Sequence, residues 1–158
     1  MYQNVLDHAV KINAQFYCET DKNLTPTGKL LSVEQTKFNF LKYNIVNKNI
    51  LKNNGIDSCY CINEYDNKIK EVASVYSTLT KMGLILFSNQ PGLHFYTGNT
   101  MDNYYVGKYA RTYGNQYGLC LEPELFPNAI NHKNFISPIL RKGEKYNSLI
   151  IMKLRNDF

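Results

Sequence analysis

Short runs of alternating apolar and polar residues, separated by turn signals, constrain this chain more than any other feature. In segment 5–12, alternation places Leu6, Val10 and Ile12 together with His8 on one face, as expected of a half-buried strand. Further runs of this kind occupy 58–62, 71–77, 84–88, 93–97, 118–122 and 146–154. Closely spaced short strands rich in Tyr, Phe and Val predict an all-β fold, an antiparallel β-sandwich or barrel.

Helix signals are weak by comparison. No segment keeps an apolar stripe at helical spacing between caps, so only short turns of helix are expected, near 44–53 or 124–130. The run 149–152 is apolar at consecutive positions, which predicts a strand covered on both faces.

Composition argues against several classes of function. The net charge of +5 comes from scattered lysines rather than a basic stripe with stacking aromatic residues, so nucleic-acid binding is not predicted. There is neither a long apolar run nor a secretory signal pattern, so we expect no membrane partner. The length of 158 residues suits one domain over 1–158 with its own core.

The cysteines also indicate a compartment. Cys18, Cys59, Cys61 and Cys120 form no C-x-x-C pair, and their spacing suits neither a zinc site nor a disulfide framework. Reduced thiols in a cytoplasmic protein are the expected interpretation.

A stretch of amides, aromatic rings and glycine turns over 88–99 has the composition of a site for a polyhydroxylated ligand. Amide side chains both donate and accept hydrogen bonds, and aromatic rings cover the apolar C–H faces of a sugar. The same composition fits a tight hairpin whose aromatic residues belong to the core. The residues alone leave both interpretations open.

Two carboxylates stand at strand ends. Glu122 closes the apolar run 118–122 and precedes Pro123, and Asp57 follows Asn54-Gly55-Ile56. Glu122 fits a solvated strand terminus, and Asp57 fits an Asx-type turn. Each also fits a partly buried group with an acid–base or ligand-binding role.

Several segments, in order along the chain, resemble those of the galactose mutarotases, or aldose 1-epimerases. The matching segments are Leu24-Thr25-Pro26-Thr27-Gly28, Thr36-Lys37-Phe38-Asn39-Phe40, Asn54-Gly55-Ile56-Asp57, Asn89-Gln90-Pro91-Gly92 followed by Phe95-Tyr96-Thr97-Gly98-Asn99, and Gly118-Leu119-Cys120-Leu121-Glu122. The segments at 89–92 and 95–99 are the most specific. The resemblance runs nearly end to end and is to the C-terminal half of the family.

The resemblance implies a fold and a reaction. The fold is a large antiparallel β-sandwich, of which this chain would be a portion truncated at its N-terminal side. The reaction interconverts the α and β anomers of free hexoses such as galactose or glucose, without cofactor or metal. By residue-level resemblance, Glu122 is the general base, and Asp57, Gln90 and Tyr96 bind the substrate. The base takes the proton of the C1 hydroxyl while an acid protonates the ring oxygen.

The sequence also departs from the family pattern. The family segment that carries the acid histidine has no counterpart here, and Glu124 stands where the family has Gln. Alternation places His94 on the face of Tyr96, which makes it the candidate to replace that histidine. We expect an aldohexose substrate and, as a partner, a companion N-terminal half or a second copy. The alternative is a non-catalytic carbohydrate-binding or partner-binding half of a split or degenerate mutarotase.

Overall fold

The computed structural model describes residues 4–47, 50, 52, 54–101 and 106–158. Within these residues the strands pair into two five-stranded sheets, and every pairing is antiparallel. The strands of the first sheet are β1 (His8–Ile12), β4 (Asn44–Ile45), β6 (Lys70–Ser77), β7 (Gly83–Ser88) and β10 (Ile150–Arg155), in the spatial order β10-β7-β6-β1-β4.

The second sheet carries the candidate site. Its strands are β2 (Phe16–Thr20), β3 (Pro26–Ser32), β5 (Asp57–Cys61), β8 (Gly92–Tyr96) and β9 (Cys120–Glu124), in the spatial order β3-β2-β5-β8-β9. The described regular structure also includes three short 3-10 turns, at Val5–Asp7, Lys108–Ala110 and Ala129–Asn131, and Ile50 and Lys52 are helical. Among the described residues, no helix is long and apolar enough to cross a membrane.

Apolar side chains from both sheets form one core between them. Val10 and Leu86 come from the first sheet and Tyr60 and Phe95 from the second, and all are buried. Phe40 meets Phe95 edge to face, with ring centroids 5.3 Å apart. Two antiparallel sheets packed face to face confirm the predicted all-β sandwich.

Strand positions follow the alternation closely in the middle of the chain. The runs at 58–62, 71–77, 84–88 and 93–97 correspond to β5, β6, β7 and β8, and every strand end agrees within one residue. Segment 5–12 is a strand only from His8, because the Asn4 side chain accepts a hydrogen bond from the Leu6 amide (3.0 Å) and starts a 3-10 turn. Strand β9 extends two residues beyond the predicted end.

The short helical turns predicted near 44–53 and 124–130 have different outcomes. Residues 44–45 are β4, Ile50 and Lys52 are helical as predicted, and 48, 49, 51 and 53 lie outside the described residues. In the later region the chain is still in β9 at Glu124 and forms a 3-10 turn only at Ala129–Asn131.

The prediction that the strand around 149–152 is covered on both faces is wrong. All six residues of β10 are exposed. Met152 is paired with Leu86 and so faces the same side as the core, yet it is 63% exposed, and Leu154 is 77% exposed. Strand β10 ends its sheet in the described part of the chain, and the opposing sheet does not reach over it.

The outer face of the second sheet is divided in two. Residues 125–135, here called the cover loop, pack Phe126, Ala129 and Phe135 over Cys18 and Cys59. Two side-chain amides attach the cover loop to β3: Asn128 donates to the carbonyl of Pro26 (3.0 Å) and Asn134 to that of Gly28 (2.8 Å). The other half of the face, around the start of β5 and β9, is left open.

A hydrogen-bonded clamp fixes the start of β5. The Ile56 amide donates to the Thr97 hydroxyl (2.9 Å), and its carbonyl accepts from the Asn99 side-chain amide (2.9 Å). Gly55 precedes it with φ +62°, and a Cβ there would lie 2.0 Å from Asn99 Oδ1. Only glycine satisfies both constraints, and Asp57 is positioned as a result.

We predict that Gly55→Ala destabilises the fold by about 2 kcal/mol or more, because alanine is strained at positive φ and its Cβ displaces Asn99. Urea unfolding followed by circular dichroism measures this. The matched control is Gly118→Ala, where a Cβ meets nothing within 4 Å and the change should stay within about 0.5 kcal/mol. Equal urea midpoints for Gly55→Ala and Gly118→Ala would contradict the requirement for glycine at position 55.

Candidate active site

Polar side chains from three neighbouring strands meet on the open half of the second sheet. Asp57 on β5 is paired with Tyr96 on β8, and His94 on β8 is paired with Glu122 on β9. Since side chains alternate between faces, Asp57, His94, Tyr96 and Glu122 all leave the sheet on its outer side. Two strand spacings of about 4.8 Å separate the strands of Asp57 and Glu122, a span that a hexose can occupy.

His94 lies at the centre of this group and contacts carboxylates from two strands. Its Nε2 is 2.8 Å from Asp57 Oδ1, and its Nδ1 is 3.4 Å from Glu124 Oε1. The Glu124 oxygen is buried and has no other hydrogen-bond partner among the described residues. The Asp57 contact has ordinary hydrogen-bond length, whereas the Glu124 contact is a looser ion pair.

The two carboxylates change the acidity of the ring. Glu124 and then Asp57 raise the pKa of His94 to about 9, against the opposing effect of burial. The ring is therefore an imidazolium at neutral pH, with both nitrogens donating. The protonated His94 ring carries one positive charge between the carboxylates of Asp57 and Glu124.

A cavity of about 650 Å³ adjoins this group. Its walls include Asp57, Lys37, Phe38 and Asn115, but not Glu122. The Lys37 ammonium donates to the Gly55 carbonyl (2.7 Å), and burial lowers the pKa of Lys37. No group of His, Cys, Asp or Glu among the described residues has the arrangement of a metal site.

The structure does not bring Gln90 to the other predicted residues. Gln90 lies before β8, whereas Tyr96 ends it, and the strand alone separates them by about 13 Å. Its side chain is 4% exposed. The neighbouring Asn89 is also structural: it donates to the Asn147 carbonyl and accepts from the Leu149 amide, both at 2.9 Å. The Asn89 and Asn99 amides thus hold the fold, whereas the Gln90 Oε1 atom is buried and has no hydrogen-bond partner among the described residues.

Tyr96 shares the outer face with Asp57, as alternation predicted, and its hydroxyl is 3.0 Å from that of Thr100. Sequence reasoning missed the contact between His94 and Glu124. The available signal was the same alternation, because Glu124 follows Glu122 by two positions, but the strand was expected to end at Glu122.

We predict that stability depends on pH through His94. Its pKa is about 9 in the folded chain and about 6.5 when unfolded, so its contribution is complete below pH 6.5 and is lost as the pH rises towards 9. The difference in unfolding free energy between the wild type and His94→Gln should therefore shrink from pH 6 to pH 9.5. Urea unfolding at four pH values measures it. Glu124→Gln should lower the pKa of His94 and so narrow the pH range over which His94 stabilises the fold. If the free-energy difference between the wild type and His94→Gln does not change with pH, the raised pKa of His94 is refuted.

Comparison with known proteins places this geometry in a family. The family model described as aldose 1-epimerase matches residues 2–153. Galactose mutarotase from Rattus norvegicus is 36% identical over 146 residues, and aldose 1-epimerase from Streptococcus thermophilus is 31% identical over 151 residues. These matches cover 91% and 92% of this chain, but each covers only 42% of the relative.

Solved structures share the fold. A GalM/aldose epimerase homologue from C. elegans superposes with a TM-score of 0.81 at 22% identity, over 98% of this chain and 47% of that chain. Galactose 1-epimerase from Lactobacillus acidophilus gives a TM-score of 0.73 at 22% identity, over 99% and 46%. This chain thus spans less than half the length of these proteins. Since the family model covers nearly all of it, the chain belongs to the aldose 1-epimerase family.

Proposed function

We propose that this chain supplies the base and part of the sugar site of an aldose 1-epimerase that interconverts the anomers of free hexoses such as galactose or glucose. The observation that carries the proposal is the shared open face of Asp57, Tyr96 and Glu122 beside a cavity of about 650 Å³. Relatives described as galactose mutarotase and aldose 1-epimerase support the reaction type.

Each side chain has a role in the proposal. Glu122 takes the proton from the C1 hydroxyl, which turns the C1–O1 bond into a carbonyl as the ring opens. Asp57 accepts hydrogen bonds from sugar hydroxyls, and Tyr96 borders the sugar. Gln90, predicted to bind substrate, is not included, because it is buried at the opposite end of β8. The reaction moves protons only, so the proposal names no cofactor, and the free thiols are compatible with a cytoplasmic location.

Activity is proposed for the completed assembly, meaning this chain with the polypeptide that supplies the rest of the family's length, as part of one chain or as a companion. This proposal is supported by an apolar edge of the sandwich, here called the open edge. It consists of Leu119, just before β9, Leu121 within β9, and Met152 and Leu154 on β10. Leu119, Leu121 and Met152 line an apolar cavity of about 190 Å³ between the two sheets. Exposed apolar positions that face a core interior are typical of an interface.

A non-catalytic sugar-binding half is the second candidate function. Its supporting observation is that the large cavity is lined by Asp57 but not by Glu122. On this alternative, hexose binding depends on Asp57 and is indifferent to the Glu122 carboxylate.

We predict that Glu122→Gln in the completed assembly slows mutarotation about 10²–10⁴-fold, because an amide cannot accept the hydroxyl proton. Polarimetry on freshly dissolved α-D-galactose and α-D-glucose measures the rate. Calorimetric titration with the same sugars should show binding that Asp57→Asn weakens and Glu122→Gln leaves within a few-fold.

The matched control is Glu71→Gln, which removes a strand carboxylate from the other sheet, where it pairs with Lys11 at 3.6 Å. Its rate should equal that of the wild type. Sugar binding without any acceleration above buffer would favour the non-catalytic alternative, and neither binding nor acceleration would reject both.

A second prediction concerns the open edge. This chain by itself should self-associate as its concentration rises, because the apolar face of β10 is uncovered. Met152→Lys should reduce that association, whereas Ile151→Lys, the same change on the other face of the strand, should not. Sedimentation velocity distinguishes them. If the chain stays monomeric at all concentrations, the open edge is not an interface.

A further inference from the structure

Two thiols meet beneath the cover loop, on neighbouring strands of the second sheet. Cys18 on β2 and Cys59 on β5 are both buried, and Phe126 and Phe135 of the cover loop pack over them. Both thiols are free in the structure, so the pair is in its reduced form. The proposed function gives neither of them a role.

We infer that Cys18 and Cys59 form an oxidation site, at which a small-molecule disulfide such as oxidised glutathione converts the two thiols into an intramolecular disulfide. This site lies outside the proposed acid–base chemistry and exists whether or not the proposed function holds. Strand register, side-chain contact and burial each support it.

The strand register brings the two residues directly opposite each other. Strands β2 and β5 are antiparallel, and Tyr17 is paired with Tyr60. The next pair along the same register is Cys18 with Cys59. Direct partners in an antiparallel pair have Cα atoms about 4.5–5.5 Å apart, and a disulfide accommodates Cα separations of about 4.4–6.8 Å. The bond can therefore form without a large shift of either strand.

The other two cysteines are less well placed for a bond to Cys18. Cys61 is paired with Phe16, so it lies diagonally across from Cys18. Diagonal neighbours are about 7–8 Å apart, whereas the Cβ atoms of a disulfide are about 3.5–4.5 Å apart. Cys120 lies on β9, which two other strands separate from β2. Among the four cysteines, Cys59 is therefore the one placed opposite Cys18.

The two thiols also differ in acidity. A hydrogen bond from Cys59 lowers the pKa of Cys18, whereas contact with Cys18 and then burial raise the pKa of Cys59. Cys18 is therefore the thiol that ionises first and attacks the oxidant, because the thiolate is the nucleophile in thiol–disulfide exchange. Cys59 completes the reaction, and the Glu124 carboxylate, which hydrogen-bonds to Cys59, accepts its proton.

The exchange balances in atoms and electrons. The Cys18 thiolate attacks one sulfur of the oxidant, whose S–S bond breaks and releases a first thiolate. Cys59 loses its proton and attacks the Cys18 sulfur of this mixed disulfide, and the other half of the oxidant leaves as a second thiolate. The two leaving thiolates take up the protons lost by Cys18 and Cys59. Two cysteine thiols are oxidised, and the disulfide of the oxidant is reduced to two thiols.

The experiment measures the disulfide at equilibrium. The folded chain is incubated in mixtures of oxidised and reduced glutathione until its composition is constant, since burial slows the exchange without changing its end point. Free thiols are then alkylated, and linked peptides are identified by mass spectrometry. The test variant is Cys59→Ser. The matched control is Cys61→Ser, the same change two positions further along β5 and on the same face.

A peptide containing Cys18 should be linked to one containing Cys59 in the wild type and in Cys61→Ser, but not in Cys59→Ser. A disulfide that fits the fold is stabilised by it, so the link should persist at a glutathione ratio at least about tenfold more reducing than in the urea-unfolded chain. The oxidised wild type should also unfold at a higher urea concentration than the reduced wild type. This comparison needs no substitution, so it decides the matter even if Cys59→Ser does not fold.

Several results would overturn the oxidation site. They are a link from Cys18 to Cys61, glutathione held on Cys18 without any link, and an oxidised chain that unfolds at a lower urea concentration than the reduced one. Glutathione on the exposed Cys120 alone has the same consequence, because it shows that the oxidant was active while the buried pair stayed reduced. None of these results bears on the proposed function, which the polarimetry of Glu122→Gln tests separately.

Discussion

The antiparallel register of β5, β8 and β9 is the constraint on which the candidate site depends. It pairs Asp57 with Tyr96 and His94 with Glu122, and so decides which polar groups share a face. A slip of one residue would turn His94 into the core and Phe95 into solvent. Phe95 is fully buried, and burying such a side chain stabilises the fold by about 1.5–3 kcal/mol. The same burial that holds the sandwich together therefore holds the polar face together.

The cover loop separates two environments on that outer face. Beneath it, contact with Cys18 and then burial raise the pKa of the Cys59 thiol, and burial raises that of Cys61. These thiols remain neutral and pack like small apolar groups. Beyond the loop, the side chains are carboxylates around a single imidazole. The open half therefore presents hydrogen-bonding groups, whereas the covered half is packed with apolar side chains and neutral thiols.

Alternation in the sequence locates the central strands, although consecutive residues of β5 and β6 are buried and both faces of these two strands are partly covered. The alternation pattern did not predict β2 or β3, because most residues of these two strands are exposed or only partly buried. It also misplaces β10, because an apolar run does not indicate whether the opposing sheet is wide enough to cover it. Burial of that kind depends on the lateral extent of both sheets, which no local pattern encodes.

The site shows the same limit. The shared face of Asp57, Tyr96 and Glu122 follows from alternation once the strands are placed. The position of Gln90 does not, because it lies in the turn between β7 and β8, where no alternation defines a face. The contact between His94 and Glu124 depends on β9 continuing through Pro123, a residue that strands accommodate mainly at sheet edges.

The position of β9 at the end of its sheet links the candidate site to the proposed assembly. Glu122 lies on a strand that ends its sheet in the described part of the chain, and its side chain is exposed. In the proposed assembly, burial of the exposed apolar side chains of β10 is the main attraction. On the proposed function, a polypeptide that covers those side chains and extends to the edge of β9 would close the core and exclude water from the site through the same contact.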